Sequence, residues 1–335
     1  MSQQTNIDNG GQPQFNVEKI TDGILRGDIA ALGRGITLVE SQQKNHKPLA
    51  QKLIQHCLPE GVPSFRIGIT GVPGVGKSTF IEAFGQTLLQ LGKRVAVLAI
   101  DPSSSISKGS ILGDKTRMET LVKEQGVFIR PSASGDNLGG VARKTRESII
   151  LCEAAGFDTI LIETVGVGQS ETVVHSMVDF FLLLQIAGAG DQLQGIKRGI
   201  IEMADLLVIN KVDGDNIARA NRTKADLDNA LQLYPNKPSG WTASTALCSA
   251  IEKTGIKEIW DILLDYATKT KSNGYWKKHR DEQNKYWLLQ TIQDRLQSDF
   301  FGAEGIDEKL NALVKEMAEN RITPFEAANL LLNQS

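Results

Sequence analysis

The sequence predicts an α/β fold with a mostly parallel central sheet, a helical N-terminal extension and a helical C-terminal arm. Three observations point there. Short apolar runs of the kind that form buried strands recur from Phe65 onward, and segments of helical length separate most of them. After Lys271 and Gly274 the pattern is helical to the end. The bulk properties agree. The chain has 335 residues, 41% hydrophobic and 23% charged, enough to bury a sizeable core without disulfides. The basic residues number 37 and the acidic 39, so the net charge is −2. That balance argues against nucleic-acid binding or a polybasic membrane anchor. Cys57, Cys152 and Cys248 are scattered, and His46, His56, His175 and His279 do not cluster. No disulfide framework and no cysteine/histidine metal site is expected, and a reduced, cytoplasmic protein is.

Taken in order, residues 1–15 are rich in Gln, Asn and Gly and lack the apolar stretch of a signal peptide, so a disordered arm is expected. Over 16–60, Ile20, Ile24, Leu25, Leu32, Ile36, Leu38 and Val39 recur at helical spacing and predict two or three short helices. The central domain spans 61–272. Its strands are predicted at 65–70, 94–100, 127–130, 159–162, 180–186, 205–209 and 241–248. Cys152, inside an apolar helical run, reads as a core thiol. The arm, 273–335, carries Trp287, Leu288, Leu289, Ile292 and Leu296, then Leu310, Leu313, Val314 and Met317. This pattern fits packing on itself or on a second subunit better than on a membrane. Trp276 and Trp287 read as packing residues, with Lys277, Lys278 and Arg280 on the solvated face.

The first strand ends in Gly71, Val72, Pro73, Gly74, Val75, Gly76, Lys77, Ser78 and Thr79, which matches G-x-x-x-x-G-K-[ST]. Glycines let the backbone curl so that successive N–H groups face phosphate oxygens. The following helix presents its positive end. Lys77 supplies a point charge for the β- and γ-phosphates and Ser78 a hydroxyl for Mg²⁺. A strand before and a helix after make this a nucleotide-binding fold of the P-loop NTPase type.

Asn210, Lys211, Val212 and Asp213 follow another apolar strand. Guanine presents a ring N–H beside an exocyclic amino group, and a carboxylate matches both. Asp213 is assigned that contact. Adenine lacks the donor pair, so GTP is preferred over ATP. Asn210 is expected to tie this loop to the phosphate loop, and the stem of Lys211 to cover the base. Ser249 and Ala250 lie where backbone N–H groups would meet the guanine oxygen.

Asp101, Asp114 and Glu163 fall at strand ends or in loops beside the expected pocket and are candidate Mg²⁺ ligands or water ligands. Glu163 and Asp101 join Lys77 as the candidate catalytic set. The N–H of Gly166 is placed to sense the γ-phosphate. Small signalling GTPases have a water-orienting glutamine right after this glycine. Here Val167 stands there and Gln169 comes later. Slow intrinsic hydrolysis, accelerated by a partner, is therefore expected. A second glycine-rich segment, 188–199, includes Gly188, Asp191, Gln192, Lys197 and Arg198 and reads as a further switch.

With these residues in place the chain closely resembles the MeaB-type P-loop GTPases, the methylmalonyl-CoA mutase-associated chaperones of the SIMIBI class. This family was once described as a kinase linked to arginine and ornithine transport. The resemblance runs from about Ile20 to the C-terminal helices. It rests on the strings 35–41, 71–78, 101–104, 109–118, 163–171, 188–199 and 210–213. It implies a GTP-hydrolysing chaperone for an adenosylcobalamin-dependent acyl-CoA mutase, one that gates cofactor loading and protects or reactivates the enzyme. It also implies a homodimer joined by the helical arm. Asp101, Asp114 and Glu163 then surround the metal, and the 188–199 loop with Lys197 relays nucleotide state. Two departures fall in these communication segments. Lys108 precedes Gly109 where the family usually has a double glycine, and Ala187 and Gln192 replace a usual Pro and Glu. The competing readings are a nickel-insertion GTPase, which the scattered histidines disfavour, and a true phosphotransferase.

Overall fold

In the computed structural model the described residues are 15–58, 61, 63–100, 118, 120–131, 138–164, 170–188 and 198–333. They form two compact units, with the boundary after Arg280. Three helices lead in: α1 (Val17–Leu25), α2 (Ile29–Glu40) and α3 (His46–Cys57). Asn16 caps α1 by accepting from Lys19 N–H at 3.0 Å, and Asp28 caps α2 by accepting from Ala30 N–H at 2.8 Å.

All seven predicted strands are present: β1 (Phe65–Gly71), β2 (Val95–Ile100), β3 (Val127–Arg130), β4 (Thr159–Thr164), β5 (Phe180–Ile186), β6 (Leu206–Asn210) and β7 (Ser244–Leu247). They form one sheet in the order β3-β2-β4-β1-β5-β6-β7, and every pairing is parallel. A parallel sheet is covered on both faces, which is why its strands read as continuous apolar runs. The helices between strands are α4 (Lys77–Gln90), α5 (Leu138–Ala154), α6 (Ser170–His175), α7 (Arg198–Met203) and α8 (Ile217–Leu231). After β7 come α9 (Ile256–Ser272) and α10 (Tyr275–Phe301).

One face of the sheet packs α4 and α9. Phe80 and Phe84 stack at 5.4 Å, and Phe84 meets Trp260 at 6.1 Å. These side chains join Ile67, Ile69, Leu161, Leu182 and Leu184 in one core. Burying each such group contributes roughly 1.5–3 kcal/mol. Cys57, Cys152 and Cys248 are buried free thiols. Burial pushes Cys57 up to about 11 and Cys248 up to about 12.

Two predictions differ from the structure. The last strand begins at Ser244, not 241. Trp241 N–H bonds back to Ser239 Oγ in a turn, and its indole N–H donates to Asp205 O at 3.0 Å. Arg280 does not lie on a solvated face. Its guanidinium donates to both oxygens of Asp179 at 2.7 Å and to Ser64 O at 2.6 Å. A nearly inaccessible carboxylate and a strand-end carbonyl converge there, and the fork of an arginine matches both. Trp276 packs on the core beside Phe65, with ring centroids 5.2 Å apart, and Arg280 lies over its face.

The second unit holds the rest of α10, then α11 (Ile306–Ala318) and α12 (Pro324–Leu332). Thr323 caps α12 and Pro324 opens it. Leu288, Leu289, Ile292, Leu296, Val314 and Phe325 are exposed along these helices. Among the described residues, no helix is long and apolar enough to cross a membrane.

Candidate functional site

The carboxyl ends of β1, β4, β5 and β6 and the start of α4 bring the motif residues to one edge of the sheet, where open α/β sheets place their ligands. Gly71 ends β1 with φ 153°, and a Cβ there would lie 2.6 Å from Leu184 O. Gly76, the N-cap of α4, has φ 93°, and a Cβ would lie 2.9 Å from Asn210 Nδ2. Both positions require glycine, through backbone shape and through the closeness of the neighbours. The bend they make turns the strand into the helix and leaves an open cradle around Gly74.

Lys77 opens α4 and folds back over this cradle. Its ammonium donates to Gly71 O at 2.7 Å and to Val72 O at 3.4 Å. Burial lowers its pKa, and the carboxylates of Glu163 and Glu171 oppose that shift. Ser78 and Thr79 follow in the first turn of α4. Glu163 lies next to last in β4, opposite Ile69 of β1, and is buried. One residue on, Thr164 Oγ1 donates to Thr70 Oγ1 at 2.8 Å and ties the two strand ends together.

Asn210 ends β6, 2% exposed, and joins three segments. Its Nδ2 donates to Val75 O at 3.0 Å. Its Oδ1 accepts from Ala250 N–H at 3.1 Å and from the Cys248 thiol at 3.5 Å. Lys211, in the left-handed region at φ 61°, extends its ammonium to Gly74 O at 2.8 Å. Two adjacent side chains thus hold the phosphate loop against the second motif. Asp213 is half-buried, and its Oδ2 accepts from Ser249 Oγ at 2.7 Å. Ser249 N–H is engaged by Thr254 O at 3.1 Å. So the N–H groups of Ser249 and Ala250 both have partners within the protein, Thr254 and Asn210.

Gly188 follows β5 with φ 80°. Its N–H donates to Thr223 Oγ1 at 3.1 Å, and the Arg219 side chain packs over it, so α8 holds the start of this segment. Asp101, Asp114, Gly166, Asp191, Gln192 and Lys197 lie outside the described residues.

Reasoning from the sequence missed Glu171. It is fully buried in the first turn of α6, within electrostatic reach of Lys77. It closes the string 163–171, where it sits among Gln169, Ser170 and Thr172, a polar stretch that gives no sign of burial. Gln185 was missed as well. It is 2% exposed, two residues before the Ala187–Gly188 turn, and its Nε2 has no hydrogen-bond partner among the described residues.

The residues present fit Mg²⁺ in the chemistry of their donors. Ser78 and Glu163 offer hard oxygen atoms, and Mg²⁺ bound with a nucleotide takes one or two protein ligands beside phosphates and water. Among the described residues, no three His, Cys, Asp or Glu side chains form a metal-holding group by themselves.

A family model described as "Methylmalonyl Co-A mutase-associated GTPase MeaB" matches residues 32–305. The chain belongs to the MeaB family. Curated relatives agree with this. A putative GTPase of Caulobacter vibrioides is 48% identical over 320 residues, covering 96% of this chain and 98% of that protein. The "Methylmalonic aciduria type A homolog, mitochondrial" of Mus musculus is 44% identical over 326 residues, covering 94% of this chain and 79% of its own. Among solved structures, one described as a LAO/AO transport system kinase superposes with TM-score 0.77 and 36% identity, covering 96% of this chain and 98% of that one. The MeaB family is a GTPase family.

Proposed function

We propose that this chain hydrolyses GTP in the service of methylmalonyl-CoA mutase or a related adenosylcobalamin-dependent acyl-CoA mutase. In this reading it gates cofactor loading and protects or reactivates the enzyme. The observation that carries the guanine-nucleotide part is the side chain of Asn210. It bridges Val75 O and Ala250 N–H and so joins the phosphate loop to the loops that would read the base. The client enters by family membership, as a MeaB-family model covers most of the chain.

The residues divide the work. On nucleotide binding, Lys77 exchanges the carbonyls of Gly71 and Val72 for β- and γ-phosphate oxygens, and the loop N–H groups with the start of α4 face the same charge. Asp213, oriented by Ser249, accepts from the two guanine donors. Ser78 and Glu163, with Asp101 and Asp114, would hold Mg²⁺ and its waters, where the ion supplies charge neutralisation for the transferring phosphoryl group. Water attacks the γ-phosphate in line. Lys77 and the backbone donors stabilise the charge that develops, and the loose transition state needs no strong general base. Gly166, Gly188, Asp191, Gln192 and Lys197 transmit nucleotide state to the mutase. The exposed apolar residues of α10 to α12 join two copies into a homodimer, and the protein acts in the cytoplasm.

The test uses GTP labelled at the γ-position, with and without purified mutase. Release of free phosphate, slow alone and faster with mutase, is expected, and Lys77→Ala is expected to abolish it. Label transferred to protein would favour the phosphotransferase reading, and turnover unchanged in Lys77→Ala would overturn the site.

A further inference from the structure

A second site lies at the opposite edge of the sheet. A cavity of about 430 Å³ opens beneath the amino ends of β5, β6 and β7. That volume is within the range of small-molecule pockets. Its walls are aromatic. Trp241 meets Tyr266 at 5.4 Å, edge to face, and Tyr266 meets Phe180 at 4.9 Å. Tyr275 stacks on His279 at 5.3 Å with planes 12° apart, and His279 meets His175 edge-on at 6.4 Å. Aromatic side chains lining a cavity suit a flat ring system.

The charges narrow the ligand further. Asp205 is paired with Lys237 at 2.8 Å, and Asp179 with Arg280 at 2.7 Å. Burial, the largest influence on His175, depresses its pKa and favours the neutral ring. Glu202 also lines the cavity, is exposed, and makes no ion pair among the described residues. Among the described lining residues Glu202 is thus the carboxylate without an ion pair. It favours an aromatic ring bearing an amine over one bearing a carboxylate or phosphate.

The cavity also touches the elements that continue from the candidate switches. α6 begins just after the 163–169 segment and α7 just after 188–197, and His175 at the end of α6 and Glu202 in α7 both line the cavity. α6 is less than two turns long, about 9 Å. Its first turn holds Glu171, whose carboxylate acts on Lys77, and its last residue is His175. A ligand that moves His175 moves Glu171 with it.

We propose that this cavity is an effector site for a small aromatic amine, and that filling it changes nucleotide affinity at the opposite edge of the sheet. The coupling half rests on nucleotide binding at the phosphate loop; the binding half does not. The probes are tryptamine, which is cationic at neutral pH, and indole-3-propionate, which has the same ring and the opposite charge. Calorimetry on the full chain is expected to show saturable tryptamine binding, tighter than indole-3-propionate by about tenfold or more. Glu202→Gln, at an exposed position, is expected to bring the two within about threefold. Saturating tryptamine is expected to change the GDP dissociation constant by about threefold or more, as linkage between sites requires. No saturable tryptamine binding, a preference that survives in Glu202→Gln, or a smaller effect on GDP would each overturn the effector site. Failure to bind GDP with tryptamine absent would count against the nucleotide reading, and the Glu202→Gln comparison would still decide the cavity.

Discussion

Replacing Asn210 by Ala tests whether the two nucleotide loops act as one unit. The substitution deletes the hydrogen bonds to Val75 O at 3.0 Å and from Ala250 N–H at 3.1 Å, and the contact from the Cys248 thiol. The fold of β6 needs none of these, since its ladder is backbone. What is lost is satisfaction of two polar groups, each costing about 1–3 kcal/mol when left buried without a partner. Together that is about 2–6 kcal/mol. In the free protein, water reaching the open cradle recovers part of it. With nucleotide bound that water is excluded, so much of the cost falls on binding. A loss of about 1.4–3 kcal/mol weakens GDP roughly 10- to 150-fold. Asn210→Asp keeps the acceptor for Ala250 but sets a carboxylate against Val75 O, so it is expected to bind at least as weakly. The assay is GDP titration by calorimetry, paired with urea unfolding of the same variants. If Asn210→Ala lowers the urea midpoint yet leaves GDP affinity within threefold, Asn210 is only a buried polar residue and the loop-joining argument is wrong.

Two other expectations follow from the geometry. Asp213→Asn removes the carboxylate that Ser249 Oγ orients, so guanine nucleotides should weaken by about tenfold or more while xanthine nucleotides gain, because the new amide donor meets their extra carbonyl; equal preference for GTP in the variant would reject the assignment. His175 ties pH to stability. Burial depresses its folded pKa, so the unfolded chain takes up a proton first as pH falls below about 6.5, and stability is lost there at up to about 1.4 kcal/mol per pH unit. The drop in urea midpoint from pH 7.5 to 5.5 should be smaller in His175→Gln than in the unmodified chain, and an equal drop would show that other groups carry it.

Much of the architecture was legible in the sequence. Seven strands were expected and seven are present among the described residues, because a parallel sheet buried on both faces writes itself as uninterrupted apolar runs. The glycine cradle was legible for a related reason. Gly71 and Gly76 mark backbone that only glycine adopts easily, and Lys77 and Ser78 sit at fixed spacing from them. The motif beginning at Asn210 was read from its place after a strand, and its side chain reaches the phosphate loop as expected. Where local pattern misled, a distant partner was the cause. Arg280 sits among basic neighbours and looks solvated, but Asp179 and the carbonyl of Ser64 draw it inward.

By itself, then, the sequence determined the order of elements, the position of the glycine-rich loop after β1 and the place of the Asn210–Asp213 motif after β6. Each depends on backbone preference or hydrophobic period within a few neighbouring residues. Only the tertiary structure decided that Glu171 lies buried near Lys77, that Lys211 bonds to Gly74, and that His175, Trp241 and His279 line one cavity. Those relations join residues far apart along the chain, and no periodicity records them. They arise when the sheet closes in its β3-β2-β4-β1-β5-β6-β7 order and brings strand ends from distant parts of the sequence to a common edge.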